Sequence, residues 1–308
     1  MGTSVYDLLV ILGPTASGKT TLAAHWAARN GGEILSADSR QVYRGMTIGT
    51  GKDLSDYEIP GFGRVPCHLT DIADAGYHYN VFEYQRDFLR AFEEVRSRGK
   101  VPVLCGGSGM YIEAVLSGYR LIQVPPDLAL RERMASMTDE ALTGLLCSLK
   151  PLHNHSDTEN RKRLMRAVEI ALYQRDHPSE DADDPRLQPL IIGMLPDRET
   201  RRARITARLR QRLGEGLIEE VQELMRGGLS ASDLEYYGLE YKFVTRYLTG
   251  ELSRAEMETQ LNTAIHQFAK RQMTWFRKME RDGFCIHWLD GDWALSEMLL
   301  AIDALYYR

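Results

Sequence analysis

The chain has 308 residues, of which 44% are hydrophobic and 26% are charged, as in an ordinary globular protein. This composition excludes a disordered, collagen-like or low-complexity chain, and the apolar run Leu8–Leu12 is too short to span a bilayer. The N-terminus lacks the basic, apolar and small-residue segments of a secretory signal, so we expect a cytoplasmic protein without membrane contact. The four cysteines are widely separated, which argues against a disulfide framework or a zinc site.

The net charge of −5 hides three basic clusters. Seven arginines and one acid lie between Arg198 and Arg212, and further basic residues gather at 161–166 and at 270–281. An acidic stretch at 180–184 indicates an exposed loop. Because local patches set the potential that a ligand meets, the acidic total is compatible with a polyanionic partner. Taken alone, each basic cluster is more often a solvated helix face.

The first third of the chain alternates short apolar runs with helical stretches. The runs Leu8–Leu12, Glu33–Ala37 and Val101–Cys105 each end at a turn signal, which is typical of buried parallel strands. Between them, residues 19–29 and 81–98 have the pattern of helices. Strands that alternate with helices predict an α/β fold with a parallel sheet and right-handed crossovers.

The pattern changes after residue 119. Residues 125–177 are predicted to be helical, and a polar loop leads from them into another strand, Leu190–Leu195. From residue 197 the chain is predicted to be almost all helix until a last strand near Cys285–Leu289. We therefore predict an α/β parallel-sheet core that starts at 1–124, a helical insertion at 125–185, and completion of the core with C-terminal helices at 186–308.

A phosphate-binding motif, G-x-x-x-x-G-K-[ST], lies between the first strand and the first helix, as this motif requires. Backbone N–H groups of such a P-loop and the positive end of the helix converge on phosphate oxygens. The Lys19 ammonium adds a full charge, and the Thr20 hydroxyl is suited to ligate Mg²⁺, the expected cofactor. The core is therefore predicted to be a P-loop fold. Its predicted phosphate-binding residues are Gly13, Pro14, Thr15, Ala16, Ser17, Gly18, Lys19 and Thr20.

Two further strand ends bring polar groups to the same edge of the sheet. Asp38 follows the second strand, where open α/β sheets build their sites. Its carboxylate can ligate Mg²⁺ through water or act as a general base, although an Asp before Ser39 is also a common turn cap. A Gly-rich turn at 106–109 ends the third strand and supplies the Ser108 hydroxyl, in a pattern equally typical of a plain strand-to-helix turn.

An arginine stripe is predicted on the helix that follows Leu190–Leu195. Arg201, Arg204, Arg208 and Arg212 recur at three- and four-residue spacing, so we expect them on one face. Arginines that enter a phosphate site neutralise the charge that develops on a leaving phosphate. Since the whole stripe cannot reach one diphosphate, part of it is expected to be solvated.

These motifs resemble those of the tRNA dimethylallyltransferases, also called tRNA isopentenyltransferases. The P-loop is generic, whereas the blocks Asp-Ser-Arg-Gln-Val-Tyr at 38–43 and Ala-Lys-Arg-Gln at 269–272 are specific. The resemblance spans most of the chain, with its blocks in order. The matching blocks are residues 13–20, 38–43, 45–50, 68–72, 106–108 with Tyr111, 163–169, and 269–272 with Trp275.

The resemblance implies a prenyl transfer that needs no ATP. In the family, the P-loop holds the diphosphate of dimethylallyl diphosphate, and the five-carbon group moves to N6 of the adenosine on the 3′ side of the tRNA anticodon. On this chain, Asp38 would accept the N6 proton, while Thr15 and an arginine, Arg208 or else Arg204, would stabilise the leaving diphosphate. We expect a monomer that binds the anticodon stem-loop. The implied tRNA-binding residues are Asp38, Ser39, Arg40, Gln41, Ser108, Arg131, Lys162, Arg163, Arg166, Tyr241 and Lys242.

The chain departs from the family pattern in the half implied to bind tRNA. Glu240 stands where the family has glycine, and Ile265-His266 stands where it has Thr-Arg. The phosphate half is intact. A diverged acceptor is therefore one open alternative.

Two other functions share part of this pattern. A P-loop kinase of a nucleoside or other small metabolite would use the same P-loop and Asp38, but it predicts ATP turnover and has no need of basic clusters outside the cleft. An RNA-binding protein that has lost catalysis would bind tRNA without turnover. The intact Thr15, Lys19, Thr20 and Asp38 argue against that loss.

Overall fold

The computed structural model of the chain describes residues 4–118, 121–149, 160–177 and 187–307. In these ranges, six strands form one sheet in the order β5-β2-β6-β1-β7-β8, and every neighbouring pair is parallel. A small antiparallel hairpin is formed by β3 and β4. The predicted α/β fold with a parallel-sheet core is thus confirmed. The strands are β1 (Leu8–Leu12), β2 (Gly32–Ala37), β3 (Glu58–Ile59), β4 (Gly63–Arg64), β5 (Cys67–His68), β6 (Val101–Gly106), β7 (Pro189–Leu195) and β8 (Ile286–Asp290).

Helices cover both faces of this sheet, and they predominate in the described part of the second half of the chain. Alternate residues of β1 pack into two different apolar clusters, which buries the strand on both faces. The helices are α1 (Lys19–Asn30), α2 (Val81–Ser97), α3 (Gly109–Leu116), α4 (Leu128–Ala135), α5 (Asp139–Leu149), α6 (Arg161–Asp176), α7 (Arg198–Gly214), α8 (Leu217–Arg226), α9 (Ala231–Tyr236), α10 (Leu239–Leu248), α11 (Arg254–Arg281) and α12 (Leu295–Tyr306).

Local signals account for most of these boundaries. Asn80 caps α2 in a reciprocal capping box with Glu83, and Gly31 ends α1 in the left-handed conformation. The sequence prediction omitted β5 and the β3–β4 hairpin, because strands of two residues are too short to show a period of two. It also omitted α12, which follows the last strand.

The described residues form two compact units, one from 1–119 with 186–308 and the other from 120–185. The second unit contains α4, α5 and α6 around a small apolar core that includes Leu142, Leu146 and Leu164. The acidic stretch at 180–184 lies outside the described residues. All four cysteines are free. Among the described helices, none combines the length and the apolar character needed to cross a membrane.

Candidate active site

The P-loop lies between β1 and α1 with the backbone geometry of a phosphate cradle. Gly18 caps α1 with φ at 86°, and Ala16 also has a positive φ, 59°. Gly18 suits its position because glycine adopts the left-handed region without steric cost. The first turn of α1 leaves N–H groups without intrahelical acceptors, and they point toward the loop.

A side chain from the far end of the chain holds this loop in place. Gln272 of α11 accepts a hydrogen bond from the Thr15 N–H at 2.8 Å and donates from Nε2 to the Gly107 carbonyl at 2.9 Å. A Cβ on Gly107 would lie 2.4 Å from Gln272 Nε2, so only glycine permits this approach. Gln272 therefore joins the P-loop to the turn after β6. The block at 269–272, which contains Gln272, was recognisable in the sequence, but this contact was not.

The P-loop opens into a cleft of about 610 Å³. Acidic and basic side chains both line it. The lining includes residues 16–22 of the P-loop and α1, together with Asp53, Asp56, Arg204, Arg208, Arg212 and Glu215. Thr15, Asp38 and Ser108 are not among the described residues that line this cleft. The cleft therefore presents four cationic side chains and three carboxylates.

Burial and neighbouring charges both affect the pKa of Lys19. Its Nζ donates to the Pro14 carbonyl at 3.3 Å. Burial lowers the pKa of Lys19, and Arg208 lowers it further, while the carboxylates of Asp38 and Asp56 act in the opposite direction. Lys19 is therefore within electrostatic reach of both the cleft and Asp38.

The arginines of α7 divide between different partners. Arg204 bonds the Asp292 carboxylate at 3.0 Å and the Gly291 carbonyl at 3.3 Å. Arg208 forms an ion pair with Asp53. Arg212 lies 3.7 Å from Asp53 and 3.6 Å from Glu240.

α7 is one continuous helix, so the spacing keeps the four arginines on one side of it, but they line different depressions. Arg204, Arg208 and Arg212 line the P-loop cleft. Arg201 instead lines a second groove, of about 840 Å³, between α7 and α11. That groove is also lined by Arg198, Arg202 and Lys270, and α7 therefore presents cations to two separate depressions.

Asp38 lies at the end of β2, and one of its oxygens is already in use. Oδ1 accepts a hydrogen bond from the Arg40 N–H at 2.9 Å. Oδ2 has no hydrogen bond to any residue that the structure describes. The turn-cap and general-base interpretations are therefore compatible, since each requires only one oxygen.

Ser39 and Ser108 meet across the ends of β2 and β6. The Ser39 N–H donates to Ser108 Oγ at 2.9 Å, and the two hydroxyls lie 3.2 Å apart. Gln41 is engaged internally, because its Nε2 donates to the Gly51 carbonyl at 3.0 Å. The structure thus brings Asp38, Ser39 and Ser108 together at one sheet edge.

A hydrogen-bonded clamp, formed by Glu220 and Tyr241 and not predicted from the sequence, holds the loop between Asp38 and the cleft. Glu220 of α8 accepts hydrogen bonds from three consecutive N–H groups, those of residues 47–49, at 2.8–2.9 Å. Tyr241 donates a fourth, at 2.7 Å. A Cβ on Gly49 would lie 2.6 Å from the Tyr241 ring. The same loop carries Asp53, the partner of Arg208.

The clamp corrects the prediction for Tyr241. Its side chain is completely buried, so it is a packing residue and cannot touch RNA from this position. Burial and the Glu220 carboxylate raise the pKa of Tyr241. Lys242, its neighbour, is half-buried, with Nζ 3.8 Å from Glu235.

In the second unit, two predicted tRNA-binding arginines have an internal partner. Arg131 and Arg166 both pair with the buried carboxylate of Glu169, at 2.9 Å for Arg131. Burial opposes ionisation of Glu169, but the bonds from Arg131 and Arg166 outweigh it and lower its pKa. Lys162 and Arg163 lie on the exposed face of α6. Arg131 and Arg166 therefore have a structural task besides any contact with RNA.

A parallel α/β sheet with the G-x-x-x-x-G-K-[ST] motif between β1 and α1 is the arrangement typical of P-loop proteins. Residues 41–279 match the model of the IPP transferase family, a range that begins after the P-loop. The chain belongs to this family, which confirms the resemblance stated above. Because this range covers most of the chain, the assignment does not rest on the P-loop.

Relatives that match nearly the full length of the chain support the same family. The chain is 57% identical over 294 residues to tRNA dimethylallyltransferase 2 of Bacteroides fragilis, covering 96% of each chain. It is 55% identical over 299 residues to tRNA dimethylallyltransferase 1 of Porphyromonas gingivalis, covering 97% and 99%. The solved tRNA isopentenylpyrophosphate transferase of Bacillus halodurans is 30% identical, with a TM-score of 0.70 and coverage of 97% and 95%. A eukaryotic dimethylallyltransferase that acts on tRNA shares the fold, with a TM-score of 0.78 at 21% identity and coverage of 98% and 80%.

Proposed function

We propose that this chain transfers the dimethylallyl group of dimethylallyl diphosphate to N6 of the adenosine on the 3′ side of a tRNA anticodon. The observation that carries the proposal is the register of the sheet. Leu12, just before the P-loop, and Ala37, just before Asp38, both pair with Gly106 of β6. A phosphate-binding loop and a carboxylate that can act as a base therefore lie at the same sheet edge, on either side of β6.

In the proposed reaction, N6 attacks the first carbon of the prenyl group while the bond from that carbon to diphosphate breaks. The diphosphate would lie in the P-loop, where Lys19, Arg208 and the Thr15 hydroxyl neutralise the departing charge. Arg208 is the better candidate than Arg204, because its charge acts on Lys19 and lowers the pKa of that ammonium. Each arginine already has a carboxylate partner, Asp53 for Arg208 and Asp292 for Arg204. The residues that would bind the diphosphate are those of the motif at 13–20.

Asp38 would take the proton that N6 loses. The exocyclic amine of adenine is a weak nucleophile, so a positioned carboxylate accelerates its attack. The Arg40 N–H orients Oδ1, and Oδ2 is left to accept the proton. The target base must leave the stack to reach this edge, as other base-modifying enzymes require.

Mg²⁺ would be held beside the diphosphate by Thr20 and Asp56. Both line the cleft, and Asp56 Oδ1 accepts a hydrogen bond from Thr21 Oγ1 at 3.3 Å. Burial and the neighbouring Asp53 raise the pKa of Asp56, and a cation would relieve both effects. Hard oxygen ligands suit Mg²⁺, which when bound would neutralise part of the charge on the diphosphate. In the described residues no cluster of three metal-ligating side chains occurs, so phosphate oxygens would complete the coordination.

Backbone phosphates of the tRNA would be neutralised by a basic surface in each unit. The groove between α7 and α11 presents Arg198, Arg201, Arg202 and Lys270, and α6 presents Lys162 and Arg163. Arginines and lysines on such surfaces neutralise backbone phosphates. At the sheet edge, Ser39, Arg40 and Ser108 would contact the anticodon loop.

The direct test uses radiolabelled dimethylallyl diphosphate, Mg²⁺ and unmodified tRNA with adenosine beside the anticodon, without ATP. Label transferred to N6 is the expected result. Asp38→Asn should lower the rate about 10²-fold or more while tRNA binding is retained. Asp74→Asn, which changes an exposed carboxylate, is the matched control. A wild-type protein that transfers no label would contradict the proposal, and wild-type turnover by Asp38→Asn would contradict the role of Asp38.

A further inference from the structure

The Arg40 side chain belongs to an aromatic and cationic cluster whose two rings have no part in the mechanism above. The Arg40 guanidinium lies over the Tyr236 ring at 5.3 Å from its centroid. The His78 ring packs against the same Tyr236 ring, with centroids 4.2 Å apart and the planes tilted by 50°. The three residues, Arg40, Tyr236 and His78, are called the stacking cluster below.

The cluster is exposed but rigidly supported. Tyr236 is 37% exposed, and His78 is exposed as well. Behind them, Tyr237 packs edge-on against both Tyr236 and the buried Tyr43. The Tyr237 hydroxyl also accepts a hydrogen bond from the Gly76 N–H at 2.6 Å, which anchors the loop that carries His78.

One residue, Arg40, connects the stacking cluster with Asp38. Its backbone N–H bonds Asp38 Oδ1 at 2.9 Å, and its guanidinium covers the Tyr236 ring. The cluster and Asp38 are therefore joined through the same turn after β2.

We propose that the stacking cluster binds a nucleobase next to the target adenosine by stacking. Exposed aromatic rings and a guanidinium plane are the surfaces on which unpaired bases of RNA stack. When the target base leaves the stack, the neighbouring base loses its stacking partner. The stacking cluster then takes the place of that partner. The inference rests on the proposed function, since it assumes that an RNA loop enters at Asp38.

The test compares Tyr236→Ala, Tyr236→Phe and His78→Ala with Phe62→Ala, a control on an exposed aromatic residue of the β3–β4 hairpin. We expect Tyr236→Ala to raise the KM for an anticodon stem-loop about ten- to a hundredfold, from the usual effect of removing one stacking residue. The KM for dimethylallyl diphosphate should not change. Tyr236→Phe keeps the ring and should behave as wild type, and His78→Ala should show a smaller rise.

A second readout reports stacking directly. The stem-loop carries 2-aminopurine, a fluorescent base, in place of the nucleotide next to the target adenosine. In the complex with Tyr236→Ala the probe should be brighter than in the wild-type complex, because stacking quenches its fluorescence. The thermal unfolding of each variant shows whether it is folded. If Tyr236→Ala does not fold, His78→Ala tests the cluster instead.

The outcomes separate this inference from the proposed function. Equal KM values and equal probe fluorescence for wild type, Tyr236→Ala and His78→Ala would overturn the stacking cluster while prenyl transfer by the wild type still stands. A wild-type protein that transfers no prenyl group, yet shows the difference in probe fluorescence, would support the stacking cluster and contradict the proposed function.

Discussion

The backbone N–H of Thr15 donates to the side-chain oxygen of Gln272, 257 residues away, at 2.8 Å. The other end of the same amide donates to Gly107. One side chain of α11 therefore sets the distance between the P-loop and the turn after β6. The geometry of the P-loop therefore depends on α11 as well as on the motif itself.

Removal of this amide should impair both stability and turnover. Gln272→Ala leaves the Thr15 N–H without its acceptor, which costs about 1–3 kcal/mol of unfolding free energy. A displaced loop should also lower kcat/KM for dimethylallyl diphosphate by about ten- to a hundredfold. Gln272→Glu, which can still accept from Thr15 but cannot donate to Gly107, should fall in between. Denaturant unfolding and steady-state kinetics measure both effects. Gln260→Ala, on an exposed part of α11, is the control, and an unaltered kcat/KM in Gln272→Ala would refute the bridge.

Glu220 should position the cleft without touching substrate. Glu220→Gln replaces one of the two accepting oxygens, which together serve three N–H groups and the Tyr241 hydroxyl, with an NH2 donor, so we expect a loss of about 1–3 kcal/mol in unfolding free energy. The KM for dimethylallyl diphosphate should rise, because the loop that Glu220 holds leads into Asp56, which lines the cleft and would hold Mg²⁺ there. The KM for tRNA should change less. Glu223→Gln, exposed on the same helix, provides the comparison, and a rise confined to the KM for tRNA would argue against this role.

Asp53 should compete with diphosphate for Arg208. Their side chains are 43% and 31% exposed, so the pair itself is worth only about 0.2–1 kcal/mol. Asp53→Asn should therefore tighten the binding of inorganic diphosphate by up to about fivefold. Calorimetric titration measures the Kd, with Asp74→Asn as the control. Weaker binding by Asp53→Asn would mean that Asp53 positions Arg208 instead of competing for it.

As pH is raised, the binding of diphosphate should weaken at a lower pH than the ordinary pKa of a lysine side chain predicts. Burial lowers the pKa of Lys19 from 10.5, and only the protonated ammonium attracts phosphate. As pH rises through that lowered value, the affinity of the free protein for inorganic diphosphate should fall. Lys19→Arg should shift this fall to higher pH, because a guanidinium stays charged. The Kd is measured across the alkaline range, and an identical pH profile for the variant would exclude Lys19 as the titrating group.

In the second unit, Glu169 should stabilise α6 at neutral pH and lose that effect in acid. Its pKa is lowered in the folded protein, so its contribution is full above the unfolded value and disappears as pH falls through the folded value. Glu169→Gln should cost about 1–3 kcal/mol at neutral pH and progressively less in acid. Hydrogen exchange of a peptide covering residues 161–176 measures this locally. Glu140→Gln, exposed on α5, is the control, and a pH-independent difference would contradict the assignment.

Local patterns were sufficient to predict the strands and the P-loop. Buried parallel strands are continuous apolar runs that end at turns, so β1, β2, β6 and β7 were recognisable within one or two residues. The geometry of the motif at 13–20 can be predicted locally, because a strand, a glycine and a helix N-terminus follow one another along the chain. The blocks near Asp38 and Ala269 were enough to indicate the family.

Such local patterns could not predict contacts between segments that are far apart in the sequence. Sequence spacing grouped four arginines on one face of α7, but the packing of α7 against its neighbours assigned Arg204 to Asp292, Arg208 to Asp53, and Arg201 to another groove. The same packing turned Tyr241 inward onto Gly49.

By itself, the sequence determined the α/β class, the phosphate-binding loop, the family and a carboxylate at the end of β2. Only the tertiary structure decided that Gln272 and Glu220 support the site and that Tyr236 faces solvent beside Arg40. The physical reason is that periodicity and turn chemistry act over a few residues, whereas these contacts join helices far apart in the chain. Such contacts depend on how each helix is rotated and packed against the others, which local patterns do not specify.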